Sequence, residues 1–275
     1  MRRTLIIALL SVVFMPMTAQ TNWGLRTGIG VERKIAKGLD AGLEANYHQT
    51  DNFKFTDRWS IGASLSKRLY RNEAKTFNVK AGLGYKYMNV YHDWSTKYKG
   101  DETLGIADGL DPIYYRDNNY DFNVSDTYVE SRHRITTSLQ AAFEVGRLRF
   151  TLRESYQFTH TDSVTYDKDK YRYKNGAWTV NTVTDGKSAS NKQMLRSKVG
   201  IDYNIPNWKY DPFVSYELFN SIDKSFETQK SRITAGVDFS FNKKHNFEVA
   251  YMWQNQHDDD EPAGSYICVN YEFTF

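Results

Sequence analysis

The chain has 275 residues, with 36 Lys and Arg against 33 Asp and Glu and a formal net charge of +3. That balance excludes the basic excess of a nucleic-acid binder, and a single cysteine, Cys268, excludes an internal disulfide. Mean hydropathy is −0.66, and no stretch after residue 20 approaches the ~18 apolar residues of a spanning helix, yet 20 Tyr, 16 Phe and 6 Trp need a place.

Arg2 and Arg3 precede an apolar run from Leu5 to Phe14, followed by Met-Pro-Met-Thr-Ala-Gln. A charged region, an apolar region and a small-residue site make an export signal. The expected signal peptide is residues 1–19, although Met17 is large for the third position before the cut. Residues 20–275 are then expected to form a single domain.

From Trp23 onward the apolar pattern has period two, the strand period. Residues 23–35 set Trp23, Leu25, Ile29 and Val31 against Gly24, Arg26, Gly28 and Gly30. The same alternation runs through 39–48, 58–70, 76–91, 132–145, 147–160, 194–205, 212–219, 231–241, 246–254 and 265–275. Short connections at 36–38, 71–75, 146–147, 206–211 and 242–245 alternate with longer ones at 49–57, 92–131, 161–193, 220–230 and 255–264. No segment has a convincing helical period.

Short turns alternating with long loops are the rhythm of an outer-membrane barrel. In lipid every backbone group must find a partner, so the sheet must close. The expected fold is all-β: a closed, up-and-down, antiparallel transmembrane β-barrel. Its apolar face meets lipid, with Tyr47, Trp59, Tyr85, Tyr87, Tyr156, Phe158, Tyr251 and Trp253 in aromatic girdles. Eleven segments are countable, whereas bacterial single-chain barrels usually have an even number. The expectation is twelve strands, the twelfth around 113–124, with ten as the other choice.

The last segment, "SYICVNYEFTF", ends an alternating strand on Phe275. Tyr271, Phe273 and Phe275 look like the signal read by the barrel-insertion machinery. Cys268 falls between its apolar positions, where a small buried side chain is expected.

The inward parity carries Arg26, Glu44, Arg58, Lys80, Lys86, Arg134, Glu144, Arg149, Arg153, Arg196, Asp202, Glu217, Arg232 and Asp238 as expected lumen-lining residues. Mixed signs fit either a narrow, weakly selective pore or a salt-bridge network that fills the barrel. Glu154 shares the outward parity of Leu152 and Tyr156, and a local bulge turning it inward is expected. His133, His160, Asp162 and Ser163 are the acid–base and nucleophile candidates, but neighbours on one loop seldom have catalytic geometry. No catalytic residue is assigned. Asp258, Asp259 and Asp260 in "HDDDE" are weak calcium candidates, without EF-hand spacing. The stretch from Tyr166 to Tyr173, with Lys168, Lys170 and Arg172, is basic and aromatic and could meet lipopolysaccharide phosphate or glycan.

The segments "DRWSIGASLSKRL", "SRHRITTSL", "FTLRESYQFTH", "LRSKVGIDYNIPN", "PFVSYELFN" and "RITAGVDFSFNKKHNFEVAYMWQ" resemble an uncharacterised family, domain of unknown function 2490, of proteins exported by Gram-negative bacteria. The resemblance runs from Trp23 to Phe275 and implies an outer-membrane barrel. It brings no activity and no site residue. The expected partners are the lipid bilayer, lipopolysaccharide and the insertion machinery, with no nucleic acid and no cofactor. The function carried forward is a narrow porin-like channel for small solutes. The alternatives are a closed barrel whose loops bind a surface ligand or partner protein, and a barrel-embedded hydrolase.

Overall fold

A computed structural model describes residues 22–206, 208–256 and 262–275. The expected signal peptide, 1–19, and the acidic run 257–261 with Asp258, Asp259 and Asp260 lie outside the described residues. Two compact units emerge. Among the described residues, the first comprises those up to Met88, those from His133 to Thr159 and those from Asn191 onward; the second comprises Asn89–Arg132 and His160–Ser190.

The barrel is made by β1 (Trp23–Ala36), β2 (Leu39–Thr50), β3 (Phe55–Arg71), β4 (Phe77–His92), β7 (Tyr128–Val145), β8 (Leu148–Thr161), β11 (Ser190–Tyr203), β12 (Tyr210–Ser221), β13 (Glu227–Phe241), β14 (His245–Gln256) and β15 (Gly264–Thr274). These are the segments that the alternation picks out. They close in the order β1-β15-β14-β13-β12-β11-β8-β7-β4-β3-β2.

The expected twelve strands are corrected to eleven. An odd up-and-down count brings the first and last strands together pointing the same way. β1 accordingly pairs β15 in parallel, with Trp23 opposite Ser265 and Glu32 opposite Thr274. The closing pair is thus the exception to the antiparallel expectation. The start of β1 lies at the end with the longer connections, where the Asn52 N–H donates to the Trp23 carbonyl at 2.8 Å. The last strand is held from both sides, by β1 and by β14.

Alternation sorts the faces. Ile29, Leu43, Ile61, Leu83, Leu139 and Val199 point outward and are each at least half exposed. Inward lie the buried Phe213, Ala250, Met252, Tyr266 and Cys268, which form one apolar cluster. Gly24 makes room for it: a Cβ there would meet the Tyr266 ring at 2.6 Å. Two bands of rings mark the outer face. Trp59 packs edge-on to Tyr87 at 5.8 Å, and Trp23 meets Tyr251 at 6.1 Å, near the longer connections. Near the short turns, Tyr210, Phe239, Phe247 and Tyr271 run in a chain of contacts at 5.0–5.3 Å.

The second unit replaces what reads as two long loops. Its sheet has the order β10-β9-β6-β5, from β5 (Ser95–Tyr98), β6 (Phe122–Ser125), β9 (Val164–Lys174) and β10 (Ala177–Lys187). β9 and β10 are joined by Asn175 and Gly176, both at positive φ (52° and 81°), the left-handed geometry that a two-residue hairpin turn requires. Residues 113–124 form no barrel strand. They supply β6 and most of a short helix, Pro112–Asp117, started by a hydrogen bond from the Ile113 N–H to Asp111 Oδ1 at 2.7 Å. Tyr98, Tyr115 and Phe122 are the core of this unit, with Tyr171 stacked on Phe122 at 4.6 Å.

Candidate functional site

The inner wall of the barrel gathers most of the charged residues at inward parity, and register decides which meet. Glu217 on β12 stands directly opposite Lys198 on β11 and Arg232 on β13. It also accepts from Arg196 Nη2 at 2.7 Å and, from over β11, Arg153 Nη2 at 3.5 Å. Glu217 is buried, a burial that is favourable only because these cations surround it.

The guanidinium groups find neutral partners as well. Arg232 Nε donates to Gln254 Oε1 at 2.7 Å, and Arg26 Nη2 donates to the same oxygen at 3.2 Å. Arg196, Arg232 and Lys230 stand 4.6–4.7 Å from the Phe219 ring, and Arg26 lies 4.3 Å over Tyr266. Cation–π contacts of this kind hold cations without neutralising them.

Six residues toward the short turns the sign reverses. Asp211, Asp238 and Glu248 stand in one row across β12, β13 and β14. Asn270 Nδ2 donates to Glu248 Oε1 at 2.7 Å, and Asp202 on β11 lies opposite Phe213. Six strand residues span about 20 Å. The mixed signs of the sequence are therefore sorted by height, with a basic band toward the longer connections and an acidic row toward the turns. Both bands follow from register, which no residue pattern states.

The other expected lining residues are dispersed. Lys86 Nζ lies 2.6 Å from Glu44 Oε1. Buried Arg58 donates to its neighbour Asp57 at 2.7 Å, and Arg134 Nε donates to Thr159 Oγ1 at 3.0 Å. Lys80 lies on β4, near enough to Glu32 to act on it electrostatically. Glu144 and Arg149 are exposed beside the 146–147 turn.

Of the acid–base candidates, His160 and Asp162 meet in the second unit. His133 is on the outward face, where its Nδ1 hydrogen-bonds the Tyr85 hydroxyl at 2.7 Å. His160 Nε2 lies 3.4 Å from Asp162 Oδ1, both side chains more than two-fifths exposed, and Ser163 is exposed. No bulge turns Glu154 inward: Ser155, Gln157 and Thr159 are buried while Leu152 and Tyr156 are exposed. Glu154 stays outward and accepts from Ser197 Oγ at 2.7 Å. Among the described residues no three His, Cys, Asp and Glu side chains are grouped as a metal site needs.

The second unit holds a polar cluster that the sequence does not announce. Glu130 is buried and accepts from Arg132 Nη2 at 2.7 Å. His92 Nε2 is 3.2 Å from the same carboxylate, and Lys187 Nζ reaches its other oxygen at 3.3 Å. The His92 hydrogen bond, with help from Arg132, outweighs burial and holds the Glu130 carboxyl down at about 2. Burial lowers the Lys187 ammonium, but Tyr128 and Glu130 together hold it above its usual range. The three basic residues come from three separated segments, so no spacing signals them.

A family model described as "Protein of unknown function (DUF2490)" matches residues 27–264. Comparison with curated proteins finds no match. Among solved structures, the chain is similar to the beta domain of the Bordetella autotransporter BrkA, at 12% identity and a TM-score of 0.43, covering 86% of this chain and 82% of that one. It is also similar to the translocator domain of the autotransporter NalP from Neisseria meningitidis, at 12% identity and a TM-score of 0.41, covering 82% and 71%.

Proposed function

The chain belongs to the DUF2490 family, and from its geometry we propose that it is an outer-membrane barrel that passes small polar solutes through a narrow, charge-banded lumen. The outer face supports membrane insertion. Soluble proteins rarely expose so continuous an apolar surface, and here it lies between two bands of aromatic rings, as in membrane barrels. On β4, Phe77 and Tyr87 are ten residues apart, about 25 Å of height at the usual strand tilt, which matches a bilayer core. The export signal expected over residues 1–19 fits the outer membrane as its destination.

The observation that carries the channel reading is the accessibility of inward side chains. Glu44 is 48% exposed and Arg153 is 36% exposed, although both point away from the apolar outer face. Water therefore reaches part of the inner wall, while Phe213, Met252 and Tyr266 fill another part of it. The basic band would favour anions and the acidic row cations, so a solute meets both in turn and net selectivity is weak.

Liposome swelling tests this reading. Vesicles holding the refolded chain should admit small zwitterions and exclude oligosaccharides. Folded, inserted protein that admits neither would assign the barrel to the closed class, with its function in the second unit.

A further inference from the structure

The sheet of the second unit has two unlike faces. Thr96, Tyr98, Phe122 and Tyr171 lie on the face that packs the aromatic core. On the other, register lays Lys97, Asn123, Lys170 and Asn181 in one row across β5, β6, β9 and β10. The row on one side holds Ser95, Ser125, Lys168 and Val183. On the other side, Lys99 continues the pairing through its N–H to the Asp121 carbonyl at 2.8 Å, and Arg172 stands opposite Thr179.

Charge on this face is poorly compensated from within. Lys168 pairs with Asp185, and Arg172 Nε lies 3.6 Å from Asp121. Lys97, Lys99 and Lys170 make no ion pair among the described residues. Partial burial, then Lys170, Lys99 and Lys97, push the Lys168 ammonium below its usual range. Neighbouring like charges on one sheet face oppose folding, and a bound polyanion would relieve that cost.

We propose that this face docks the phosphorylated saccharide portion of lipopolysaccharide. Strands about 4.8 Å apart, and about 7 Å between alternate residues, put the cations roughly 7–10 Å from one another. That spacing suits phosphates on neighbouring sugars rather than one phosphate held by all. Asn181, exposed beside Lys170, offers a donor and an acceptor to sugar hydroxyls, whereas Asn123 between the lysines is buried and accepts from Arg172 Nη2 at 2.9 Å. The outer-membrane reading supplies the ligand's source; the face itself owes nothing to the barrel interior.

The test is calorimetric titration of the full refolded chain in detergent, verified as folded by heat-modifiable migration, with delipidated, phosphorylated core oligosaccharide. The wild type should bind it, and phosphatase-treated oligosaccharide should not. Lys97→Gln with Lys170→Gln should weaken binding about tenfold or more, Lys170→Arg should retain it, and Lys243→Gln with Lys244→Gln in the β13–β14 turn should leave it unchanged. No wild-type binding, equal binding after phosphatase, or equal loss in the turn control would overturn the proposal. Tighter binding of plain polyphosphate or an acidic protein would overturn the saccharide assignment. Because no bilayer is used, a negative result on membrane flux leaves this outcome unaffected.

Discussion

Replacing Glu130 with Gln removes the carboxylate that His92, Arg132 and Lys187 share, with almost no change of shape. A carboxyl held at about 2 rather than 4.5 is stabilised by about 3 kcal/mol at neutral pH. Lys187 is half exposed, so water screens its part, and the working figure for Glu130→Gln is about 2–3 kcal/mol. Glu130 belongs to the second unit, so the loss should appear there. Because folding depresses this carboxyl, its contribution is complete above about pH 4.5 and is lost as pH falls toward 2. Protection factors of the β9 and β10 amides, corrected for the intrinsic pH dependence of exchange, should fall in wild type across that window, and in Glu130→Gln they should already be low at pH 7. Barrel amides should not respond. Equal exchange in the two proteins at pH 7, or a wild-type profile flat between pH 5 and 2, would refute the reasoning.

Gly24→Val should displace the Tyr266 ring and destabilise the folded barrel by about 1–3 kcal/mol, read from the heat at which migration changes. Glu154→Leu should raise stability in a bilayer by about 1–2 kcal/mol, because a carboxylate on the lipid face is a liability; the measurement is urea unfolding in vesicles. Arg196→Glu with Arg232→Glu inverts the basic band and should move the reversal potential toward cation preference. Gly176→Val forces a β-branched residue to φ 81° and should cost about 1–2 kcal/mol, seen as faster exchange confined to β9 and β10.

Period-two alternation is strong enough to locate every barrel strand, because one face of each must be apolar and the other must not. Parity likewise places Arg196, Glu217 and Arg232 on the inner wall. The strand count differs from the expected twelve for a physical reason: even closure is a habit of membrane barrels, whereas parallel pairing of β1 with β15 satisfies the edges equally well. The second unit was hidden because β5 and β6 are only four residues each and the alternation of 164–174 is carried by charges. Its one local signal was Asn175-Gly176, a hairpin turn lying in what read as loop. Charge banding needed register, since Asp238 and Arg232 share a strand face and differ only in height. Glu154 shows the opposite error: the cost of a carboxylate in lipid argued for a bulge, and a hydrogen bond from Ser197 holds it outward instead.

Single-channel conductance of the refolded chain, residues 20–275, in a planar bilayer tests the central claim most directly. The account predicts small, reproducible steps that shrink as polymers of increasing size are added and that change ion preference in the Arg196→Glu, Arg232→Glu variant. Folded, inserted protein that gives no steps would contradict a water-filled lumen.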